Sequence, residues 1–145
     1  MKSVLLPIHL SFAGIWLGCV LTETFFERAL LGRGRQQELI LVELHKRVDV
    51  CIEVPAFTVV LVTGALMYSM AIRSVWVYAM MGLGLIAVAT NIYCVGLVFQ
   101  RAAAANQGKW EAFSRIDHKQ HQYGAVVLLA IVLALAAGVS IFENA

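Results

Sequence analysis

The sequence predicts an all-α integral membrane protein, a four-helix bundle whose two termini lie on the external side of the membrane. Three observations support this fold class. The composition is 61% hydrophobic and only 14% charged, whereas soluble domains carry about 25% charged residues. Several stretches reach the roughly 20 apolar residues that a helix needs to cross a bilayer. Lysine and arginine are also distributed unevenly among the segments that connect these stretches.

The apolar stretches occupy residues 3–22, 54–72, 75–99 and 124–142. Polar segments with helical character flank these stretches. Stretches and flanks together predict helices at about 3–30, 37–72, 75–101 and 115–142 in a single domain. We expect the first stretch to be a retained helix rather than a signal peptide, because it is long and has no small-residue cleavage site.

The basic residues predict the orientation. Lys2 and Arg73 fall on one side of a four-span chain, and all the other basic residues fall on the opposite side: Arg28, Arg33, Arg35, Lys46, Arg47, Arg101, Lys109, Arg115 and Lys119. The positive-inside rule then places the longer connections in the cytoplasm, most simply at a bacterial inner membrane. Such a basic rim is the ordinary topological signal, so we expect the lipid bilayer, and no nucleic acid, as partner. A bundle this small would also suit a homodimer.

Glycine and proline divide the first half of the chain. Gly32 and Gly34 should end the first helix, since glycine commonly terminates helices. The following segment, RGRQQELILVE at residues 33–43, is amphipathic rather than loop-like. We therefore expect the second helix to begin near Gln36 and to project into the cytoplasm. Pro55 should kink this helix, because proline lacks an N–H and its ring crowds the preceding turn.

The second half contains two further helices. The third helix carries small residues that permit close packing against its neighbours, and it brings Asn91 and Tyr93 into its cytoplasmic half. We expect residues 102–108 to form a polar linker. The fourth helix should open with the polar run RIDHKQHQYG at residues 115–124 and continue as an apolar helix to Phe142.

The second helix also carries His45, Asp49 and Glu53 at four-residue spacing. A four-residue step advances a helical position by only about 40°, so these side chains share one face. Alignment of the helices by depth brings acids and histidines of the first and fourth helices to the same end of the bundle. The predicted site contains, from the membrane boundary outward, Glu23, Glu53 and His121, then Glu27, Asp49 and His118, and lastly His45 as an outer ligand or gate, with Asn91 orienting a ligand from slightly deeper.

A cluster of acids at a membrane boundary needs compensation, because ionisable side chains there normally find partners. Two divalent cations would relieve the repulsion among four carboxylates. Carboxylate and imidazole suit iron, manganese or zinc, and carboxylate-bridged di-iron sites are built from Glu and His on four facing helices, although this chain has no Glu-x-x-His pair. We therefore predict a non-haem, dinuclear site, preferably of iron, with redox chemistry on a small molecule such as oxygen, nitric oxide or a quinone.

Other interpretations use the same residues. The acids could be the hydrated ends of helices, with Asp49 and Glu53 paired to Arg28, Lys46 or Arg47. The polar face could instead carry protons or metal ions as a transporter. Haem b is a further alternative, held between His45 and His118 or His121, or by His9 at the opposite side. His9 could equally donate a hydrogen bond to a neighbouring helix.

Two motifs resemble a known group of membrane proteins. The first helix carries H-x6-W-x-G at His9, Trp16 and Gly18, and the second carries HKRVDVCIEVPAFTVVLVTGALM with its Pro-Ala pair and later glycine. Both resemble small four-helix membrane proteins of the HemJ-type protoporphyrinogen oxidase and CopD-like copper-resistance kind. In the oxidase family the first-helix histidine binds haem b together with a lysine of the third helix. The resemblance implies that role for His9, whereas Ala79 and Met80 stand in the corresponding region of the third helix. It also implies four-helix topology and a redox or metal context.

Overall fold

The computed structural model describes residues 2–69 and 74–143. They form four helices: α1 Lys2–Leu30, α2 Arg35–Tyr68, α3 Val75–Asn106 and α4 Trp110–Glu143. Each helix is long and apolar enough to cross a membrane, which confirms the predicted all-α class with four spans. The predicted end of the second helix at residue 72, and Arg73 with its part in the orientation, lie outside the described residues. The external location of the termini and the bacterial inner membrane stay predictions.

The connection between α1 and α2 is a tight turn made by glycine. Gly32 and Gly34 have φ angles of 73° and 111°, a region that other residues rarely adopt. These two residues therefore end α1 as predicted. The amphipathic segment that follows is helical from Arg35 onward, and its Leu41 and Val42 are buried, at 0% and 1% exposure. The first half of α2 thus packs against neighbouring helices of the bundle, and its projection into the cytoplasm stays a prediction.

A π-helical turn, Asp49–Glu53, interrupts α2 just before Pro55. The N–H of Val54 donates to the carbonyl of Asp49, one residue further back than in an α-helix. This wider turn accommodates the proline ring, which would otherwise crowd the carbonyl four residues earlier. Asp49 and Glu53, at the two ends of this turn, both face inward, at 1% and 3% exposure.

The connection between α3 and α4 differs from the prediction. Residues 102–108 were expected to form a linker, but α3 continues to Asn106 and α4 begins at Trp110. The reason is a run of alanines, the strongest helix formers, which also supplies a buried surface. Ala102, Ala104 and Ala105 pack with Val42 and Phe113 in a core cluster at this end of the bundle. Both helices therefore extend past the level at which the sequence suggested that they end.

A second core cluster fills the middle of the bundle. It brings together residues of all four helices: Trp16, Val20, Ala56, Phe57, Ala87, Val88, Val127, Ala130 and Ile131. The rings of Trp16 and Phe57 lie 5.8 Å apart. α3 and α4 pack along most of their lengths, and α1 packs chiefly on the second half of α2, whereas contact between α1 and α4 is sparse. The polar residues described next lie between the two core clusters.

Candidate metal centre

A buried cluster of polar side chains occupies one end of the bundle. Each of the four helices contributes to it. Glu23 and Glu27 come from α1, His45, Asp49 and Glu53 from α2, Asn91 and Arg101 from α3, and Gln120 from α4. The partly buried Asp117 and the more exposed His121, both of α4, complete it. The sequence therefore predicted correctly that acids and histidines of separate helices meet at one end.

His45 lies at the centre of this cluster. Its Nε2 is 3.2 Å from Oε2 of Glu23 and 3.7 Å from Oδ1 of Asp49, and its Nδ1 is 3.1 Å from Oε1 of Glu27. The prediction that His45 is an outer ligand or gate is wrong in its placement. His45 lies two turns outside the apolar stretch of α2, which suggested a position beyond the end of the bundle. The bundle in fact continues one turn beyond His45, where Leu41 is fully buried.

Two sets of potential ligands lie side by side. Glu23, His45 and Asp49, here called the inner group, are all buried, and one ligand atom of each lies within 4.8 Å of the others. Glu27, Asp117 and His121, here called the outer group, meet the same distance limit. A tetrahedral ion with bonds of about 2.0–2.2 Å places its ligand atoms about 3.3–3.6 Å apart. The contacts of 3.2 and 3.7 Å around His45 Nε2 lie close to that spacing.

Several buried carboxylate oxygens in the cluster lack hydrogen-bond donors. Neither oxygen of Asp49 receives a hydrogen bond from any residue that the structure describes, although the side chain is only 1% exposed. Oε1 of Glu23 and Oε2 of Glu27 likewise receive none from the described residues. Leaving a buried acceptor unsatisfied costs about 1–3 kcal/mol, and more when the group is charged. These oxygens therefore need protons or a cation.

Arg101 is a member of the cluster that the sequence did not indicate. Its side chain is 0% exposed, and its Nη1 lies 2.8 Å from Oε1 of Glu27 and 2.6 Å from Oδ1 of Asp117. Its Nη2 lies 3.1 Å from Nδ1 of His45. The sequence placed Arg101 on the basic rim, because it was expected to stand next to a linker. The continuation of α3 instead turns it inward, and the alanine run after it was the signal that could have revealed this.

The permanently charged groups of the cluster do not balance among the described residues. One guanidinium, that of Arg101, stands among five carboxylates and pairs with two of them, Glu27 and Asp117; the other three belong to Glu23, Asp49 and Glu53. The surface lysine and arginine that could have paired with Asp49 and Glu53 lie elsewhere. Arg47 pairs with Glu43 at 3.0 Å, and Nζ of Lys46 lies 5.4 Å from the centre of the Phe99 ring. Arg28 lines the cavity at this end but makes no ion pair with Asp49 or Glu53 within the described residues. Because both acids are buried, at 1% and 3% exposure, the interpretation as hydrated helix ends with those partners is wrong.

A cavity of about 370 Å³ adjoins the cluster. Its polar wall includes the inner group, Glu53 and Asn91, and its apolar wall includes Val20, Val98, Val127 and Leu128. The lining residues of α2 are buried, whereas exposed lining residues come from α1 and α4, among them Thr24, Arg28, His121 and Ala125. The cavity therefore opens between α1 and α4, where the packing is sparse.

Asn91 and Trp16 close the deep end of the cluster. The indole Nε1–H of Trp16 donates to Oδ1 of Asn91 at 3.3 Å, and Asn91 is 2% exposed. The amide of Asn91 is thus fixed by α1 while it lines the same cavity as Glu53, and its role in orienting a ligand stays a prediction. The packed core of the bundle follows directly beyond Trp16.

His118 does not join the cluster. It is exposed, and its Nε2 lies 3.2 Å from Nε2 of Gln122. Asp117, Gln120 and His121 share one face of α4, because residues three and four apart are helical neighbours, and His118 is turned about 100° away from Asp117. His118 thus lies at the level of the acids but faces outward, and the prediction that it joins their cluster is wrong. Asp117 and Gln120, which stand beside it in sequence, occupy the inward positions instead.

His9 lies at the opposite end of α1. Its Nδ1 is 2.8 Å from Oγ1 of Thr63, and the Thr63 hydroxyl donates to the carbonyl of Val59 at 2.6 Å. The hydroxyl proton is therefore engaged, so His9 Nδ1–H is the donor to Thr63. This geometry matches the expectation of a hydrogen bond to a neighbouring helix, and the haem role of His9 stays a prediction.

Comparisons with protein-family models, with curated proteins and with solved structures found no match for this chain. The resemblance to HemJ-type and CopD-like proteins accordingly stays a prediction. The chain is an integral membrane protein whose acids and histidines form two groups, among the described residues, that could hold a metal ion.

Proposed function

We propose that this protein is a membrane metalloprotein that holds a non-haem metal ion, preferably iron, in the inner group. The observation that carries the proposal is the convergence of Glu23, His45 and Asp49, all buried, with both oxygens of Asp49 lacking a hydrogen bond within the described part of the chain. A buried carboxylate in that condition needs a cation or a proton. Imidazole together with carboxylates suits iron, manganese or zinc.

The surroundings of His45 support this assignment. Metal-binding histidines commonly donate their second ring N–H to a carboxylate, which fixes the ring and its tautomer. Oε1 of Glu27 lies 3.1 Å from Nδ1 of His45, in the position to accept that hydrogen bond. The lone pair of Nε2 then faces Glu23 and Asp49. Glu27 accordingly orients the histidine rather than binding the ion.

The cavity supports redox chemistry on a small molecule. It borders the inner group on one side and apolar side chains on the other, and its mouth lies between two membrane-spanning helices. A molecule that partitions into the bilayer would reach the site from there, as oxygen, nitric oxide and quinones do. A bound iron ion would supply electron transfer and charge stabilisation. Glu53, which lines the same cavity while buried at 3% exposure, would accept or deliver protons at its carboxylate.

A metal or proton transporter is a weaker candidate. His9 is 14 positions before Glu23 in α1, or about 21 Å along a helix. Between them the described residues form the mid-bundle core, in which Trp16 is 2% exposed and Ala56 and Ala87 are 0% exposed. Polar residues therefore continue only part of the way along the bundle, which favours a site that is closed at its deep end.

Metal analysis of the purified protein, with an optical spectrum, tests the proposal. We expect about one equivalent of non-haem metal in the wild type and almost none in the Asp49→Asn and Glu23→Gln variants. Glu43→Gln is the matched control, because Glu43 is an exposed acid of α2 that pairs only with Arg47 among the described residues. Circular dichroism and size-exclusion chromatography would verify folding of each variant. A folded Asp49→Asn protein with full metal content would refute the assignment, and a Soret band would favour the haem alternative.

A further inference from the structure

We infer that Arg101 is a built-in cation that takes the place of a second metal ion and limits the centre to one. The inference rests on the proposed metal site in the inner group. Arg101 would then position the metal ligands and set the number of ions at one, whereas the sequence predicted a dinuclear centre.

The outer group has the composition of a metal site. Nε2 of His121 lies 3.8 Å from Oε2 of Glu27, and Nδ1 of His121 lies 3.5 Å from Oδ2 of Asp117. Oε2 of Glu27 is buried and receives no hydrogen bond from the described side chains or backbone. The outer group also adjoins the inner group through the 3.1 Å contact between Glu27 and His45. The chain therefore places two potential ligand sets next to one another.

The outer group is more exposed than the inner group, and the two groups also differ in their contacts with Arg101. Its guanidinium binds one oxygen of Glu27 at 2.8 Å and one oxygen of Asp117 at 2.6 Å, so both acids of the outer group are already paired with a positive charge. Arginine does not lose its proton in proteins, and repulsion between cations is strong where water is excluded. A dication in the outer group would lie within a few ångströms of this charge. Arg101 contacts the inner group at Nδ1 of His45, 3.1 Å from Nη2, whereas within the described residues its ion pairs are with Glu27 and Asp117 and not with the inner acids Glu23 and Asp49.

Arg101 also helps to orient His45, the histidine of the inner group. Because its Nη1 fixes Oε1 of Glu27, that same oxygen is held beside Nδ1 of His45. Nη2 of Arg101 lies 3.1 Å from the same Nδ1. Arg101 thus acts on the side of the ring that faces away from Glu23 and Asp49, without belonging to the ligand set.

Metal stoichiometry tests the inference. The wild type, Arg101→Gln, Arg101→Met and Arg101→Lys would be loaded with excess Mn²⁺, desalted and analysed for manganese per chain. We expect one ion in the wild type and in Arg101→Lys, which keeps the charge, and two ions in the neutral variants. Adding Asp117→Asn to Arg101→Gln should return the count to one. Electron paramagnetic resonance should reveal coupling between neighbouring Mn²⁺ ions only in the neutral variants, a gain that loss of a merely structural contact would not produce.

Each outcome has a defined meaning. Two ions in the wild type, or one ion in the folded neutral variants, would overturn the inference while leaving the inner-group proposal intact. No ion in any of these proteins would overturn both. If neither neutral variant folds, the wild type titrated to excess Mn²⁺ still decides the matter, because binding of a second ion there refutes the role of Arg101 and saturation at one supports it.

Discussion

Each end of the bundle holds a histidine that contacts a neighbouring helix. The two ends differ in whether the groups around that histidine have all their hydrogen bonds. His9 meets the hydroxyl of Thr63, which itself donates to a backbone carbonyl, so this neutral chain of hydrogen bonds is complete. His45 meets Glu23, Glu27 and Asp49, which include buried oxygens without donors in the described structure. Unmet charge, rather than the histidine itself, distinguishes the candidate site from a helix-packing contact.

The largest expected difference between the two ends is in metal content. His45→Gln should remove the bound metal almost completely, because the ring nitrogen shared by the inner group is lost. His9→Gln, at the other end, should leave metal content unchanged. Elemental analysis of both purified variants measures the contrast. Equal loss of metal in both would show that the two ends are not independent.

The second largest expected difference between the two ends is in their contribution to the stability of the fold. Arg101→Ala would leave Glu27 and Asp117 as buried acids without their partner, and breaking a buried ion pair in this way costs about 3–5 kcal/mol. Unfolding in detergent, followed by circular dichroism, would measure this loss. Added Mn²⁺ should restore part of the stability, since a second ion would then neutralise the acids. A variant as stable as the wild type would mean that Arg101 does not compensate these charges.

Loss of the group that orients His45 should have a smaller effect, a weakening of metal affinity. Glu27→Gln replaces the acceptor beside Nδ1, and loss of such an orienting carboxylate typically lowers metal affinity about 10- to 100-fold. Competition with a chelator of known affinity would measure the change. Glu38→Gln is a suitable control, because Glu38 is a half-buried acid outside the cluster that accepts only from the backbone N–H of Gly32 within the described chain. Complete loss of metal in Glu27→Gln would identify Glu27 as a direct ligand.

The smallest effect on stability and metal content is expected at the opposite end of the bundle, where the hydrogen bonds of His9 and Thr63 are complete. Thr63→Val removes the acceptor of His9 while conserving volume, and hydrogen bonds between membrane helices average about 0.6 kcal/mol. Thermal unfolding should therefore change little, and metal content should not change. A loss as large as that of Arg101→Ala would indicate that His9 and Thr63 have a role beyond helix packing.

Much of the fold follows from local properties of the chain. The apolar length of each span, the glycines at the α1–α2 turn and the four-residue spacing of His45, Asp49 and Glu53 can each be recognised within one segment. The sequence therefore predicted four helices, the first loop, and a polar cluster that includes Glu23, Asp49 and Glu53. Pro55 was also identified as a perturbation of α2, although the π turn before it was not.

Only the tertiary structure decided the depth and rotation of one helix against another. Because the alanine run after Arg101 is helical and buried, α3 and α4 extend further than their apolar stretches do. That extension turns Arg101, Asp117 and Gln120 inward, leaves His118 outside and surrounds His45. The sequence by itself determined which chemical groups are available at this end of the bundle. Packing between helices decided which of them meet, because contacts across helices depend on register, and a single segment does not encode its register against its neighbours.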